Sequence, residues 1–201
     1  MTATIITADT IPEEVRAILR AVPIERLRAD LQDLQDQVVA CKGGPAADGP
    51  SDPAPPGAFE ALVHVIGALG YRLACGIAFD PKLMAQHAAG NTDTRHHVVM
   101  IHSELHGWQA VSVLAHEAAH VLLPPNESTL LDEIAAESVA YLVCHELGLQ
   151  SDKFARYICA ECARRPDEPV HASCECIVVA AETILDFAAD FVPFADFVTT
   201  A

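Results

Sequence analysis

The chain has 201 residues, 51% of them apolar, and carries 28 acidic against 12 basic residues for a formal net charge of -16. That size suits one main domain with appendages, the apolar fraction excludes global disorder, and the acid excess disfavours direct nucleic-acid binding, which depends on Lys and Arg neutralising phosphates; a basic partner, or simple solubility, is the expected use of the charge. No stretch approaches the roughly 20 consecutive apolar residues of a membrane span, and Met1–Thr10 lacks the basic and apolar regions of an export signal, so a cytoplasmic protein is expected.

In chain order, Pro12–Ala40 reads as a helix: Pro12 suits a first turn, Glu13 and Glu14 favour its positive end, and Leu27, Leu31, Leu34 and Val38 keep a helical spacing. Residues 43–57 hold five prolines and four glycines, a linker composition, so an N-terminal helical segment (1–42) is set apart from a main domain at 58–190 and a tail at 191–201. Ala58–Leu69 is expected to be helical and to stop at Gly70. In Tyr71–Phe79 the residues Leu73, Cys75 and Ile77 alternate as in a half-buried strand. Gly90-Asn91 signals a turn, His97–Ser103 a second strand, and Gln109–Leu123 a helix ended by Pro124-Pro125. Helices are then expected over Thr129–Leu147, Asp152–Arg165 and Glu168–Asp190. The sum is an α+β fold, mostly helical with a small sheet.

The helix before Pro124 contains His116-Glu117-Ala118-Ala119-His120. Residues four apart on a helix lie nearly above one another, so His116 and His120 can present ring nitrogens to one ion. Glu117, one step round, then stands beside an open coordination position, where it can take a proton from an activated water and return it to a leaving amine. Zinc suits imidazole and carboxylate ligands in this arrangement. A third ligand should come from the next helix, where Glu133 and Glu137 share a face: one can reach the metal while the other orients a histidine. Glu137 is the favoured ligand of the two. The strand His97–Ser103 is a candidate edge strand for pairing with an extended substrate. His96, His97, His102, His106 and Tyr141 are candidate donors to a developing oxyanion, Tyr141 more readily a core residue.

The segments Leu114–Leu123, Ile134–Cys144 and Glu146–Leu149 resemble the zincin domain of ArdC-like antirestriction proteins and their ImmA/IrrE metallopeptidase relatives, over about residues 90–190. The resemblance implies a zincin-like fold, zinc held by His116, His120 and Glu137, Glu117 as general base, and a protein or peptide substrate, plausibly a regulatory protein. Two departures stand out. ArdC-type proteins carry a single-stranded-DNA-binding domain ahead of the zincin domain where this acidic sequence shows a helix and a Pro/Gly linker, so DNA binding is not expected to carry over; and Cys159, Cys162, Cys174 and Cys176 occupy the region where related sequences often place aromatic residues.

Seven cysteines, an odd number without an export signal, point to reduced thiols, although Cys159, Cys162, Cys174 and Cys176, with His171, also offer the donors of a structural zinc site. The stripe Phe187, Phe191, Phe194 and Phe197 is expected to pack on its own domain rather than dock elsewhere. Two functions compete with peptide hydrolysis: an acidic, antirestriction-type binding protein whose zinc only holds the fold, and hydrolysis of a small amide.

Overall fold

The computed structural model describes residues 22–41, 53–75, 89–125, 129–149, 152–164 and 174–191. Among them are six helices and one three-stranded mixed sheet, an α+β architecture. Helix α1 (Ile24–Ala40) buries Leu27, Leu31 and Leu34, the stripe that its spacing demands. It does not run unbroken from Pro12. Val22 and Pro23 are non-helical, with Pro23 extended at φ -68° and ψ 140° and its carbonyl accepting from the Arg26 amide at 2.9 Å. Proline has no amide to donate and disfavours helical backbone in the residue before it, so α1 begins only after Pro23; residues 12–21 lie outside the described part.

Helix α2 (Ala58–Ala68) buries Ala58, Ala61, Leu62, Val65 and Ile66 and gives way to Gly70, whose φ of 81° turns the chain into strand β1 (Arg72–Cys75). Leu73 is half-buried there, but Cys75 is exposed, so the expected alternation does not reach it; Ile77 lies beyond the described residues. Gly90-Asn91 is not a turn. It opens strand β2 (Gly90–Asp93), and the reversal falls later, at residues 94–97, where the Asp93 carboxylate accepts the His96 amide at 3.0 Å and His97 takes a φ of 53°. Strand β3 (Val98–Ile101) follows.

The sheet order is β1-β3-β2. β3 runs parallel to β1, with Arg72 opposite Val98, and antiparallel to β2, with Gly90 opposite Ile101. β3 is therefore the central strand, paired on both sides, which corrects its expected role as an edge; β2 holds the edge beside the next helix.

That helix, α3 (Gly107–Leu122), ends at Leu123 before Pro124. α4 (Thr129–Glu146) buries residues on every side, from Leu130 through Cys144, and α3, α6, α5 and α1 all pack against it. A helix apolar all round belongs at the centre of a core. α5 (Lys153–Arg164) and α6 (Cys174–Ala189) complete the shell. Of the segment set apart as residues 1–42, the described helix α1 shares this core, since Leu27, Leu31 and Leu34 join the same buried cluster as α4 and α6. Phe187 and Phe191 pack against it too, as expected of that stripe; Phe194 and Phe197 fall outside the described residues. No helix among the described residues is long and apolar enough to cross a membrane.

Candidate metal centre

The packing of α3 on α4 brings two i,i+4 pairs face to face. His116 and His120 direct their Nε2 atoms at one another, 3.0 Å apart. Across from them Glu133 places Oε2 3.3 Å from His116 Nε2 and Oε1 3.7 Å from His120 Nε2. Two imidazole nitrogens and a carboxylate thus converge within 4.8 Å of one another. Ligands about 2.0–2.1 Å from a tetrahedral zinc stand roughly 3.3 Å apart, so the spacing of the three donors fits such an ion without rearrangement of the helices.

Glu137, the favoured third ligand, does not join this group. Its Oε2 lies 2.9 Å from Nδ1 of His116, the other ring nitrogen, and its side chain is 11% exposed against 38% for Glu133. The reason is depth along α4: Glu137 sits one turn further into the core and meets the imidazole from inside, whereas Glu133 stands at the open end. The two carboxylates are thus placed differently, with Glu133 beside the Nε2 atoms and Glu137 against Nδ1 of His116.

The charges compensate within the cluster. Burial alone would lower the His116 pKa, but its contacts with Glu133 and Glu137 outweigh it and push the value to about 10. For His120, burial and the neighbouring imidazolium act together and pull it down to about 4. Burial would raise Glu133, yet His116 and His120 hold it below the usual carboxylate range. One protonated imidazole clasped by two carboxylates occupies the place that suits a divalent cation.

Glu117 points to β2. Thr92 Oγ1 donates to its Oε2 at 2.7 Å and lies 3.1 Å from its backbone carbonyl. Gly90 passes so close that a Cβ there would stand 2.5 Å from Glu117 Oε1 and 2.8 Å from Val113 Cγ1. This explains the glycine where a turn was anticipated: only a residue without a side chain lets the strand lie over the carboxylate. Glu117 is buried, and burial raises its pKa despite the opposing influence of His116 and the Thr92 hydrogen bond.

One contributor was not foreseen from sequence. Tyr157 of α5 donates its hydroxyl to Glu133 Oε2 at 3.3 Å and sets its ring edge-on to His116, with centroids 6.4 Å apart. No motif flags it, since it sits in an ordinary amphipathic helix. The anticipated oxyanion donors are engaged elsewhere: His96 pairs with Asp93 at 2.6 Å, His97 packs on Tyr71 at 4.8 Å between centroids, and His102 Nδ1 accepts from the Glu104 amide at 3.2 Å. Tyr141 is a core residue, stacked on His145 at 5.5 Å and edge-on to Phe154; His106 caps the start of α3 without a side-chain hydrogen bond.

Among the described residues no group able to hold a metal includes a cysteine, and no disulfide joins the described cysteines. The side chain of Cys174 and all of His171 lie outside the description, so the four-cysteine grouping is not drawn together here. In comparisons with known proteins the chain matches no family model, no curated protein and no solved structure.

Proposed function

We propose that this chain is a zinc-dependent metallopeptidase of the zincin type, hydrolysing a peptide bond in a protein substrate, plausibly a regulatory one. The observation that carries the reading is the convergence of His116 Nε2 and His120 Nε2 of α3 with the Glu133 carboxylate of α4, where the residue after His116 is a glutamate hydrogen-bonded into place. The donor set is two imidazoles and one carboxylate, the composition of catalytic rather than purely structural zinc sites, which tend to be closed by cysteine.

A zinc ion held by His116, His120 and Glu133 would supply Lewis acidity, making a water acidic near neutral pH and polarising the scissile carbonyl. The rest is work for the chain. Glu137 holds the His116 ring by Nδ1, so that Nε2 stays directed at the site. Tyr157 steadies Glu133 from the other side. Glu117, with Oε2 anchored by Thr92 and Oε1 beneath Gly90 of β2, is the group that would accept the proton of the attacking water and return it to the leaving amine. β2, the edge strand lying against α3, offers its backbone to an extended peptide, and its contact with Glu117 through Thr92 would bring that peptide alongside the base. The unbridged cysteines agree with a reducing, cytoplasmic setting.

The test uses the zinc-loaded chain and a proteome-derived peptide library, with new N-termini read by mass spectrometry. Wild type is expected to generate them, and Glu117→Gln to keep its zinc while generating at least about 100-fold fewer, in line with loss of a general base. A Glu117→Gln protein indistinguishable from wild type, alongside a His116→Ala protein that unfolds, would instead favour a binding protein with a structural ion.

A further inference from the structure

Away from the histidine pair, a second group of side chains joins α1 to the end of α4. Asp30 of α1 places Oδ2 3.5 Å from Nδ1 of His145, and that nitrogen lies 4.0 Å from Oε1 of Glu146. The three donors fall within 4.8 Å of one another. The Glu146 side chain is wholly buried, at 0% exposure, and Asp30 is 13% exposed.

Helix packing does not account for the group. Asp30 Oδ2, His145 Nδ1 and both carboxylate oxygens of Glu146 are buried without a hydrogen-bond partner, whereas nearly all buried polar atoms of folded proteins have one. Arg26 forms ion pairs with both carboxylates, its Nε 2.9 Å from Glu146 Oε1 and 3.9 Å from Asp30 Oδ2, but without the alignment of a hydrogen bond to Glu146, and its side chain is 50% exposed. It can withdraw into solvent. Tyr141 stacks on His145 at 5.5 Å and holds the imidazole plane in place. Three buried donors of mixed N and O type, within 4.8 Å of one another and short of aligned hydrogen bonds, are what a divalent cation needs.

We propose that Asp30, His145 and Glu146 form a second divalent-cation site, of the imidazole–carboxylate chemistry that suits zinc or manganese, which pins α1 to α4. The donors, 3.5 and 4.0 Å apart along two edges and all within 4.8 Å of one another, stand somewhat wider than the roughly 3.3–3.6 Å between ligands about 2.0–2.2 Å from a tetrahedral ion, so an ion would draw them together. The site does not depend on the first: no residue is shared, and its role is to fasten the N-terminal helix onto the core.

The experiment counts zinc by elemental analysis on the full chain, stripped with chelator, reloaded with zinc chloride and desalted. Wild type is expected to hold two equivalents, the His116→Ala/His120→Ala double variant one, and the same variant with Asp30→Asn none. In the double variant, zinc should also raise the melting midpoint by several degrees, an effect lost with Asp30→Asn or His145→Ala. One equivalent in wild type that disappears with His116→Ala/His120→Ala overturns the second site and leaves the first standing. One equivalent that survives this change but is lost with Asp30→Asn does the reverse. If Asp30→Asn fails to fold, the melting shift in the double variant decides: a zinc-dependent rise supports the site, and its absence overturns it.

Discussion

Glu137 Oε2 sits 2.9 Å from Nδ1 of His116, while the Nε2 atom of the same ring faces Glu133 at 3.3 Å. One imidazole is thus held between two carboxylates from a single helix, one turn apart, and the two should fail differently. Glu133→Ala removes a donor from the centre and is expected to weaken zinc binding by more than about 100-fold. Glu137→Ala leaves the donor set intact and frees the ring, a loss of about 10- to 100-fold. Competition against a chromophoric chelator measures both, and the opposite order would restore Glu137 as the ligand.

The contact between β2 and Glu117 predicts a separation of binding from turnover. Thr92→Val removes the hydroxyl that anchors Glu117 Oε2 and is expected to lower kcat about 10-fold with zinc content unchanged. Gly90→Ala puts a methyl group 2.5 Å from Glu117 Oε1 and 2.8 Å from its Cγ, so the carboxylate must move. It should cost about 1–3 kcal/mol of stability and also lower kcat. Peptidase kinetics beside denaturant titrations check both, and a Gly90→Ala chain with wild-type kcat would show that the position of Glu117 is unimportant.

How much of this could be read beforehand depended on whether a feature is local. The spacing of His116 and His120, and that of Glu133 and Glu137, follow from helical periodicity, and the sequence therefore marks all four. Which glutamate faces Nε2 depends on how far α4 slides along α3, a packing quantity with no local signature. Gly90-Asn91 misled for a related reason: glycine marks tight turns and also close approaches, and here Glu117, 27 residues on, makes it the second. Likewise Val98–Ile101 carries the β-branched run of a strand, but whether it lies at the edge or the centre is set by β1, whose partner in the sheet is remote in sequence. Pro23 is a local breaker inside the expected Pro12–Ala40 helix, and α1 begins just after it. Tyr157 carried no signal at all.

Because α1 buries Leu27, Leu31 and Leu34 in the common core, it should unfold with the rest. Leu27→Ala is expected to cost about 2–5 kcal/mol and leave one cooperative transition. Equilibrium denaturation followed by far-ultraviolet circular dichroism and by Trp108 fluorescence checks it. Non-coincident transitions, with an early helical loss, would mark α1 as an independent appendage.

Cys144 lies at the centre of α4 with no exposed surface, and burial pushes its thiol up to about 12 from 9.0. The folded chain therefore keeps this proton while the unfolded chain loses it, so the contribution is whole below pH 9 and is lost as pH rises toward 12. Two consequences follow for experiment. Stability of Cys144→Ala should fall less steeply than wild type between those limits, and alkylation of Cys144 at pH 8 should proceed only at the rate of unfolding, which peptide mapping would detect. Rapid modification in the native protein would contradict the burial.

The central claim is that one divalent ion lies between His116, His120 and Glu133. Anomalous scattering at the zinc edge from crystals of the zinc-loaded chain tests it most directly. The account predicts a peak within coordination distance of both Nε2 atoms and of a Glu133 oxygen, with Glu137 remaining on Nδ1; zinc-loaded crystals with no peak between the two histidines, or with the ion bound by Glu137 in place of Glu133, would contradict it.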